Sequence, residues 1–252
     1  MVCGFLFGVD SSSITRLDRV CMSGSSSTER LSVQPLVRPT APHTVRLIGG
    51  AFRGRKLPVL DAPGLRPTPN RVRETLFNWL GQDLRGRRCI DAFAGTGALG
   101  FEAASRGAVA VAMVDRNPAV VARLRAACKA LGAGQVQVQC GDAMAALQRC
   151  AAGSMDVVFL DPPFQEDVAM ADLLRWAARA IGPHGCVYLE SGQPWEPKAL
   201  HPLRLHRHTR AGAVHAHLLV PGADGAASLV DGNAHVSATV CAHVGMEGRK
   251  NG

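Results

Sequence analysis

The chain has 252 residues, 47% hydrophobic and 5% aromatic, with 28 Lys and Arg against 20 Asp and Glu. That length and apolar share predict one sizeable domain with a buried core, or one domain with tails, and exclude a wholly disordered chain. Charges interrupt each apolar stretch before roughly 18 residues, residues 1–10 lack a basic flank and a cleavage site, and eight scattered cysteines form no Cys-x-x-Cys, which predicts a reduced cytoplasmic protein without membrane span, signal peptide, disulfide scaffold or zinc.

The net charge of +8 is unevenly placed. Residues 44–88 carry ten Lys and Arg against Asp61, Glu74 and Asp83, whereas 89–220 are nearly neutral. A solvated face of mixed charge is the plain reading of a basic run. The sign asymmetry here points as strongly to a polyanion-binding surface, above all nucleic acid.

Residues 1–43 are rich in Ser, Thr and Pro without a sustained period and read as a disordered leader, and 221–252, rich in Gly, Ala and His, read as a second tail. Between them, 45–50 predict a short strand or turn, followed by the basic segment Arg53-Gly54-Arg55-Lys56. Thr68 and Pro69 open a helix to about Leu80, Thr68 as cap and Pro69 at the first helical position. Val72, Leu76, Trp79 and Leu80 form its apolar stripe, with Arg71, Glu74 and Asn78 on another side.

From Arg88 onward, strands alternate with helices. Strands are predicted at 89–91, 109–114, 136–140, 155–160 and 186–190. Helices follow the glycine loop 95–97, Asn117-Pro118, Asp142 and, over 168–180, the fourth strand. Segments 203–208 and 214–220, joined through Ala211-Gly212, predict an antiparallel hairpin. This order predicts an α/β fold with a mainly parallel, doubly wound sheet of seven strands and helices on both faces. Ligands of such sheets bind at the carboxyl ends of the strands.

Two loops at such ends carry chemistry. In Asp91-Ala92-Phe93-Ala94-Gly95-Thr96-Gly97-Ala98-Leu99-Gly100, the glycines allow a tight turn and close approach of a ligand. The spacing also fits the dinucleotide pattern G-x-G-x-x-G. A carboxylate at Asp91 would serve a pyrophosphate poorly and a sulfonium with an amino-acid tail well, which favours S-adenosylmethionine over NAD. Asp115, after the next strand, suits the ribose of either cofactor. Asp142 either contacts an adenine or caps a helix. In Asp161-Pro162-Pro163-Phe164, the Asp161 carboxylate and the Pro162 carbonyl can accept both hydrogens of an exocyclic amine while Phe164 stacks on the base; a Pro-Pro turn ending a strand is the structural alternative. His206 and His208, like His215 and His217, would share a face if their segments are strands. No carboxylate accompanies them, so no metal is expected.

These two loops resemble the signatures of class I S-adenosylmethionine-dependent methyltransferases that modify amino groups. The preceding blocks Val45-Arg46-Leu47-Ile48-Gly49-Gly50, Arg53-Gly54-Arg55-Lys56-Leu57-Pro58, Gly64-Leu65-Arg66-Pro67-Thr68 and Arg71-Val72-Arg73-Glu74-Thr75-Leu76-Phe77-Asn78-Trp79-Leu80 closely resemble the RsmD family, bacterial enzymes acting on guanine N2 in 16S ribosomal RNA. The likeness runs over about 44–220. It implies a Rossmann-like transferase domain at 88–220 preceded by a basic extension at 44–87. Asp91, Phe93, Gly95 and Gly97 would then surround the methionine part of the cofactor. Asp115 would hold the ribose and Asp142 with Ala143 the adenine, and Ala94, Thr96, Arg116 and Asn117 would complete the cofactor site. Arg66, Thr68, Arg71 and Glu74 would close over cofactor and nucleotide. Asp161, Pro162, Pro163 and Phe164 would present the guanine, and Arg46, Arg53, Arg55, Lys56, Arg71 and Arg73 would bind RNA. The partner implied is 16S RNA, as the small subunit or an assembly intermediate, met by a monomer. The chain departs from the family pattern at Thr96, where Ser is common, and at Ala216 and His217, where Tyr and a basic residue are usual.

Overall fold

A computed structural model describes residues 44–58, 70–163 and 169–222. The expected leader, the tail beyond 222 and the Thr68-Pro69 helix start lie outside those residues.

Strands β1 (Thr44–Arg46) and β2 (Lys56–Pro58) pair antiparallel, with Val45 opposite Leu57. Each buries its one central apolar residue and exposes its neighbours, the period of a half-buried strand. The second strand falls in what composition showed only as a basic segment. Helix α1 (Asn70–Trp79) buries Val72, Arg73, Leu76 and Phe77. Its inward stripe is thus turned one position from the predicted one, and Trp79 and Leu80 are half-buried.

The seven-stranded sheet consists of β3 (Arg88–Asp91), β4 (Ala110–Asp115), β5 (Val136–Cys140), β6 (Met155–Leu160), β7 (Ile181–Ser191), β8 (Leu203–Ala211) and β9 (Val214–Pro221), in the order β5-β4-β3-β6-β7-β9-β8. The strands β3 to β7 pair parallel, and β9 runs antiparallel between β7 and β8. The crossovers supply α2 (Ala98–Ser105), α3 (Pro118–Leu131), α4 (Ala143–Arg149) and α5 (Met170–Ala180), and a short 3-10 turn (Pro197–Leu200) precedes β8. Alternate strand residues face opposite layers. Cys89, Val111, Met113, Val157, Phe159 and Tyr188 pack with α1, α2, α3 and the β1–β2 hairpin. Ile90, Val114, Val158, Leu160, Val187 and Leu189 pack with α4 and α5. The expected Rossmann-like architecture, mainly parallel with a closing antiparallel hairpin, is what the chain adopts.

Local signals account for several boundaries. Asn117 caps α3 by accepting from the Ala119 amide at 2.9 Å, Pro118 takes the first helical position, and Gly132 ends the helix in the left-handed conformation. Asp142 caps α4 through the Ala145 amide at 2.9 Å. In the C-terminal hairpin a bulge between Leu205 and Arg207 shifts the register. His206 falls in that irregularity, and the rings that meet are His208, His215 and His217, with 5.2 Å between the stacked His208 and His215 centroids.

Candidate active site

The order of the sheet reverses at β3, with β4 and β5 on one side and β6 and β7 on the other. Loops leaving such a strand pair depart to opposite faces and open a crevice at the carboxyl ends. Asp91 ends β3, level with Phe159 of β6, and Asp161 follows the last residue of β6. Pairing of two strands thus brings together motifs that lie far apart in the chain.

The first loop is tied down before it turns. The Ala92 amide donates to the Phe159 carbonyl at 3.1 Å and the Ala94 amide to the Val114 carbonyl at 2.9 Å. Phe93, Gly95 and Thr96 are half-buried, and Ala94 and Gly97 are buried. Gly97 starts α2 at φ 77°, a conformation side chains avoid, and a Cβ there would stand 2.6 Å from Leu124 Cδ2. At Gly100 a Cβ would run into Met113 of β4. The missing side chain lets the helix lie close enough for the Gly100 amide to donate to Asp91 Oδ2 at 3.0 Å.

Asp91 is 1% exposed and its Oδ1 has no hydrogen-bond partner among the described residues. Burial pushes its carboxyl up to about 7; the Gly100 amide and, more weakly, the Phe93 amide oppose the rise, and the charges of Asp161 and Asp115 add to it. Asp115 is half-buried and ties two loops together. Its Oδ2 accepts from the Gly95 amide at 2.9 Å and its Oδ1 from the Asn117 amide at 2.8 Å, and its carbonyl accepts from Gly141 at 3.0 Å. Arg116 and Asn117 are exposed beside it, and Asp142 is exposed with Ala143 buried behind it. Asp161 is half-buried, Pro162 buried and Pro163 exposed. Phe164, Arg66 and Thr68 lie outside the described residues. The crevice therefore gathers carboxylates, one with an oxygen unpaired among the described residues. Such a site suits a cation or an array of donors and repels phosphate.

The basic extension is fastened to the far end of α2. Glu102, fully buried, accepts from the Ile48 amide at 2.8 Å and the Gly49 amide at 2.7 Å, and pairs with Arg106 at 2.8 Å. Ser105 Oγ accepts from the Phe52 amide at 2.8 Å and donates to the Gly49 carbonyl. The same eight-residue helix thus starts at the glycine loop and ends in the hairpin's anchor. Arg46, Arg53, Arg55, Lys56 and Arg71 are exposed. Arg73 is a correction to the sequence reading. It is fully buried, donates to the Arg46 carbonyl at 2.9 Å and to Asn70 Oδ1 at 2.6 Å, and lies 3.8 Å from Glu102. It sits on the inward stripe of α1, so it braces the extension and has no surface to offer RNA.

A family model described as "Conserved hypothetical protein 95" matches residues 45–220. Ribosomal RNA small subunit methyltransferase D of Escherichia coli K12 is 41% identical over 179 residues, 68% of this chain and 86% of that protein. The protein of the same name from Haemophilus influenzae is 40% identical over 157 residues, 61% of this chain and 81% of its own length. Among solved structures, yhhF of Escherichia coli superposes with a TM-score of 0.62 at 38% identity, covering 72% of this chain and 99% of that one. The chain belongs to the RsmD family.

In this RsmD-family chain the departures at Ala216 and His217 fall on β9, an interior strand, where both residues are buried. Sequence reasoning missed Glu102 and Ser105, whose one local signal is a polar pair in the otherwise apolar helix Ala-Leu-Gly-Phe-Glu-Ala-Ala-Ser. It also missed the buried contact of Tyr188 Oη, which donates to Glu190 Oε1 at 2.8 Å near the end of β7.

Proposed function

We propose that this chain transfers a methyl group from S-adenosylmethionine to the exocyclic N2 of a guanine in 16S ribosomal RNA of the small ribosomal subunit. The observation that carries the reading is the meeting of Asp91, whose buried Oδ1 has no partner among the described residues, and Asp161-Pro162-Pro163 at the carboxyl ends of paired strands of an RsmD-family fold. Relatives named ribosomal RNA small subunit methyltransferase D support the choice of substrate.

The cofactor, when bound, supplies an electrophilic methyl group on a cationic sulfonium. The residues present fit it: a buried Asp91 oxygen without a hydrogen-bond partner among the described residues can accept from a cationic or donor group, and the surrounding carboxylates disfavour a dinucleotide's pyrophosphate. Asp91, Phe93, Ala94, Gly95, Thr96 and Gly97 would hold its methionine part. Asp115, Arg116 and Asn117 would hold the ribose, and Asp142 with Ala143 the adenine. Asp161 and the Pro162 carbonyl would accept the two N2 hydrogens of a guanine that has left its stack, and Phe164 would take the base face. These bonds aim a poorly nucleophilic lone pair, so positioning supplies most of the rate and no strong base is required. The proton leaves once the nitrogen has become acidic. Arg46, Arg53, Arg55, Lys56 and Arg71 would carry the RNA, with 44–87 as the binding extension and 88–220 as the transferase domain.

The test uses methyl-labelled S-adenosylmethionine with small subunits from cells lacking this enzyme, naked 16S RNA and duplex DNA, followed by digestion to nucleosides. Label in N2-methylguanosine is expected, and it should vanish with Asp161→Ala while the cofactor still raises Tm. Label in N6-methyladenine or in protein glutamine would overturn the acceptor. Cofactor binding with no label in any substrate would favour a non-catalytic RNA-binding assembly factor.

A further inference from the structure

The edge strand β8 has the sequence Leu-Arg-Leu-His-Arg-His-Thr-Arg-Ala, with three arginines, two histidines and no acid. Its placement is more informative than its charge. In a regular strand Arg204 and Arg207 would point to opposite faces. The bulge changes that: Arg204 lies opposite Val220 and Arg207 opposite Leu218, two residues apart on β9 and so on one face. That face also carries Ala216 and Leu218, which pack in the layer of α1, and α1 lies against both β8 and β9. Both arginines are exposed, and neither has a hydrogen bond or ion pair among the described residues. Arg210 falls opposite His215 and is held by its bond to the Gly212 carbonyl at 2.9 Å.

The register locates this pair relative to the candidate active site. Arg207, Leu218, Tyr188 and Phe159 stand in one row across β8, β9, β7 and β6. Three strand spacings put Arg207 about 14 Å to the side of Phe159, which precedes Asp161 by two residues. Between them on the same layer runs α1, with Arg71 exposed and with Arg73 bonded to the Arg46 carbonyl of the hairpin. Arg204 and Arg207 are themselves about 7 Å apart along the strand, a separation that suits neighbouring phosphates of one RNA strand.

We propose that Arg204 and Arg207, turned to one face by the β8 bulge, form a second phosphate-binding contact that holds the RNA backbone a few nucleotides from the target base. The inference rests on the ribosomal RNA reading above and extends its surface from the hairpin, across α1, to the opposite edge of the sheet. Charged residues on an edge strand also guard against edge-to-edge aggregation, so the measurement must be one that this role does not move.

That measurement is the salt dependence of binding to a 16S RNA transcript between 50 and 200 mM salt. Replacing both residues (Arg204→Ala with Arg207→Ala) should lower the slope of log K against log salt by about one to two, as expected for the loss of two phosphate contacts. Arg210→Ala should leave the slope unchanged, and the double variant should keep its Tm. A wild-type slope in the double variant, with or without aggregation, overturns the proposal. If replacing Arg53, Arg55 and Lys56 lowers the slope and the β8 variant does not, the RNA reading stands and this surface falls. If the wild-type protein binds the transcript without salt dependence, both fall together.

Discussion

Asp91 and Glu102 are both buried acids on the same side of the sheet's centre, at or below 1% exposure, and they differ in what reaches them. Glu102 takes two backbone amides and the Arg106 guanidinium, with Arg73 nearby. Asp91 receives the Gly100 amide on one oxygen, with the Phe93 amide acting more weakly on the same carboxyl, and its other oxygen has no hydrogen-bond partner among the described residues. A buried acid saturated by its own chain holds two segments together. A buried acid with a lone pair left over costs the fold stability and keeps an acceptor open to a ligand's donor. The contrast separates the anchor of the extension from the candidate cofactor site without reference to any relative.

The largest effect should come from breaking the saturated acid. Glu102→Ala strands two amides and two arginines, at a cost of about 3–5 kcal/mol, or on the order of 10 °C in Tm for a domain of this size. Glu102→Gln, which keeps one acceptor, should lose clearly less. A Glu102→Ala protein melting within a degree or two of wild type would remove the distinction.

Asp91→Asn should do the opposite. The folded carboxyl titrates near 7 and the unfolded one at 3.8, so between those values the native state keeps a proton that the unfolded chain has released. Stability of the ligand-free protein therefore falls as pH rises from about 4 to about 7 and is level above that. The shift corresponds to about 4 kcal/mol. Asp91→Asn should raise Tm by several degrees at pH 8 and hardly at all at pH 4, and should abolish the rise given by S-adenosylmethionine. A variant destabilised at pH 8 would show that Asp91 is bound into the fold as Glu102 is.

The smallest effect concerns a buried base. Burial pushes His217 down to about 4, against its bond to the Leu189 carbonyl and with the neighbouring His208 and His215 adding to the fall. Here the unfolded chain takes up the proton first, so stability is lost as pH drops from 6.5 toward 4. That slope opposes the one from Asp91 over nearly the same window, and the wild-type protein should show a shallow profile there. His217→Leu should expose the Asp91 slope, seen as a Tm that rises on acidification from pH 6.5 to 4.5 by a few degrees. An unchanged profile would mean that the hairpin tolerates a charged His217.

Much of this was legible in the sequence because it is local. The strands 136–140 and 155–160, the Asn117-Pro118 and Asp142 helix starts and the alternation of elements rest on periodicity and capping, which act over a few residues. The two loops of the candidate site were legible because strand order forces carboxyl ends together. What escaped depends on distant partners. Arg73 reads as one more cation in a basic run until the stripe of α1 is seen to include it. Glu102 reads as a lone acid in an apolar helix until residues 48 and 49 arrive beneath it. The bulge that turns Arg207 leaves no mark in the alternation of β8. Phe164, Arg66 and Thr68 lie outside the described residues, so their part rests on the sequence alone.

The anchor on α2 also bears on how the chain is made. The bonds that secure the hairpin join residues 53 to 56 positions apart. During synthesis the cationic stretch around Arg53-Gly54-Arg55-Lys56 emerges well before the helix that fastens it, and β3 must wait longer still for β6, one of its two neighbours in the sheet. A nascent polycation without its scaffold meets the ribosome's own RNA at close range. The hairpin's cations therefore stay unfastened until α2 has followed them out of the ribosome and the Glu102 and Ser105 bonds can form.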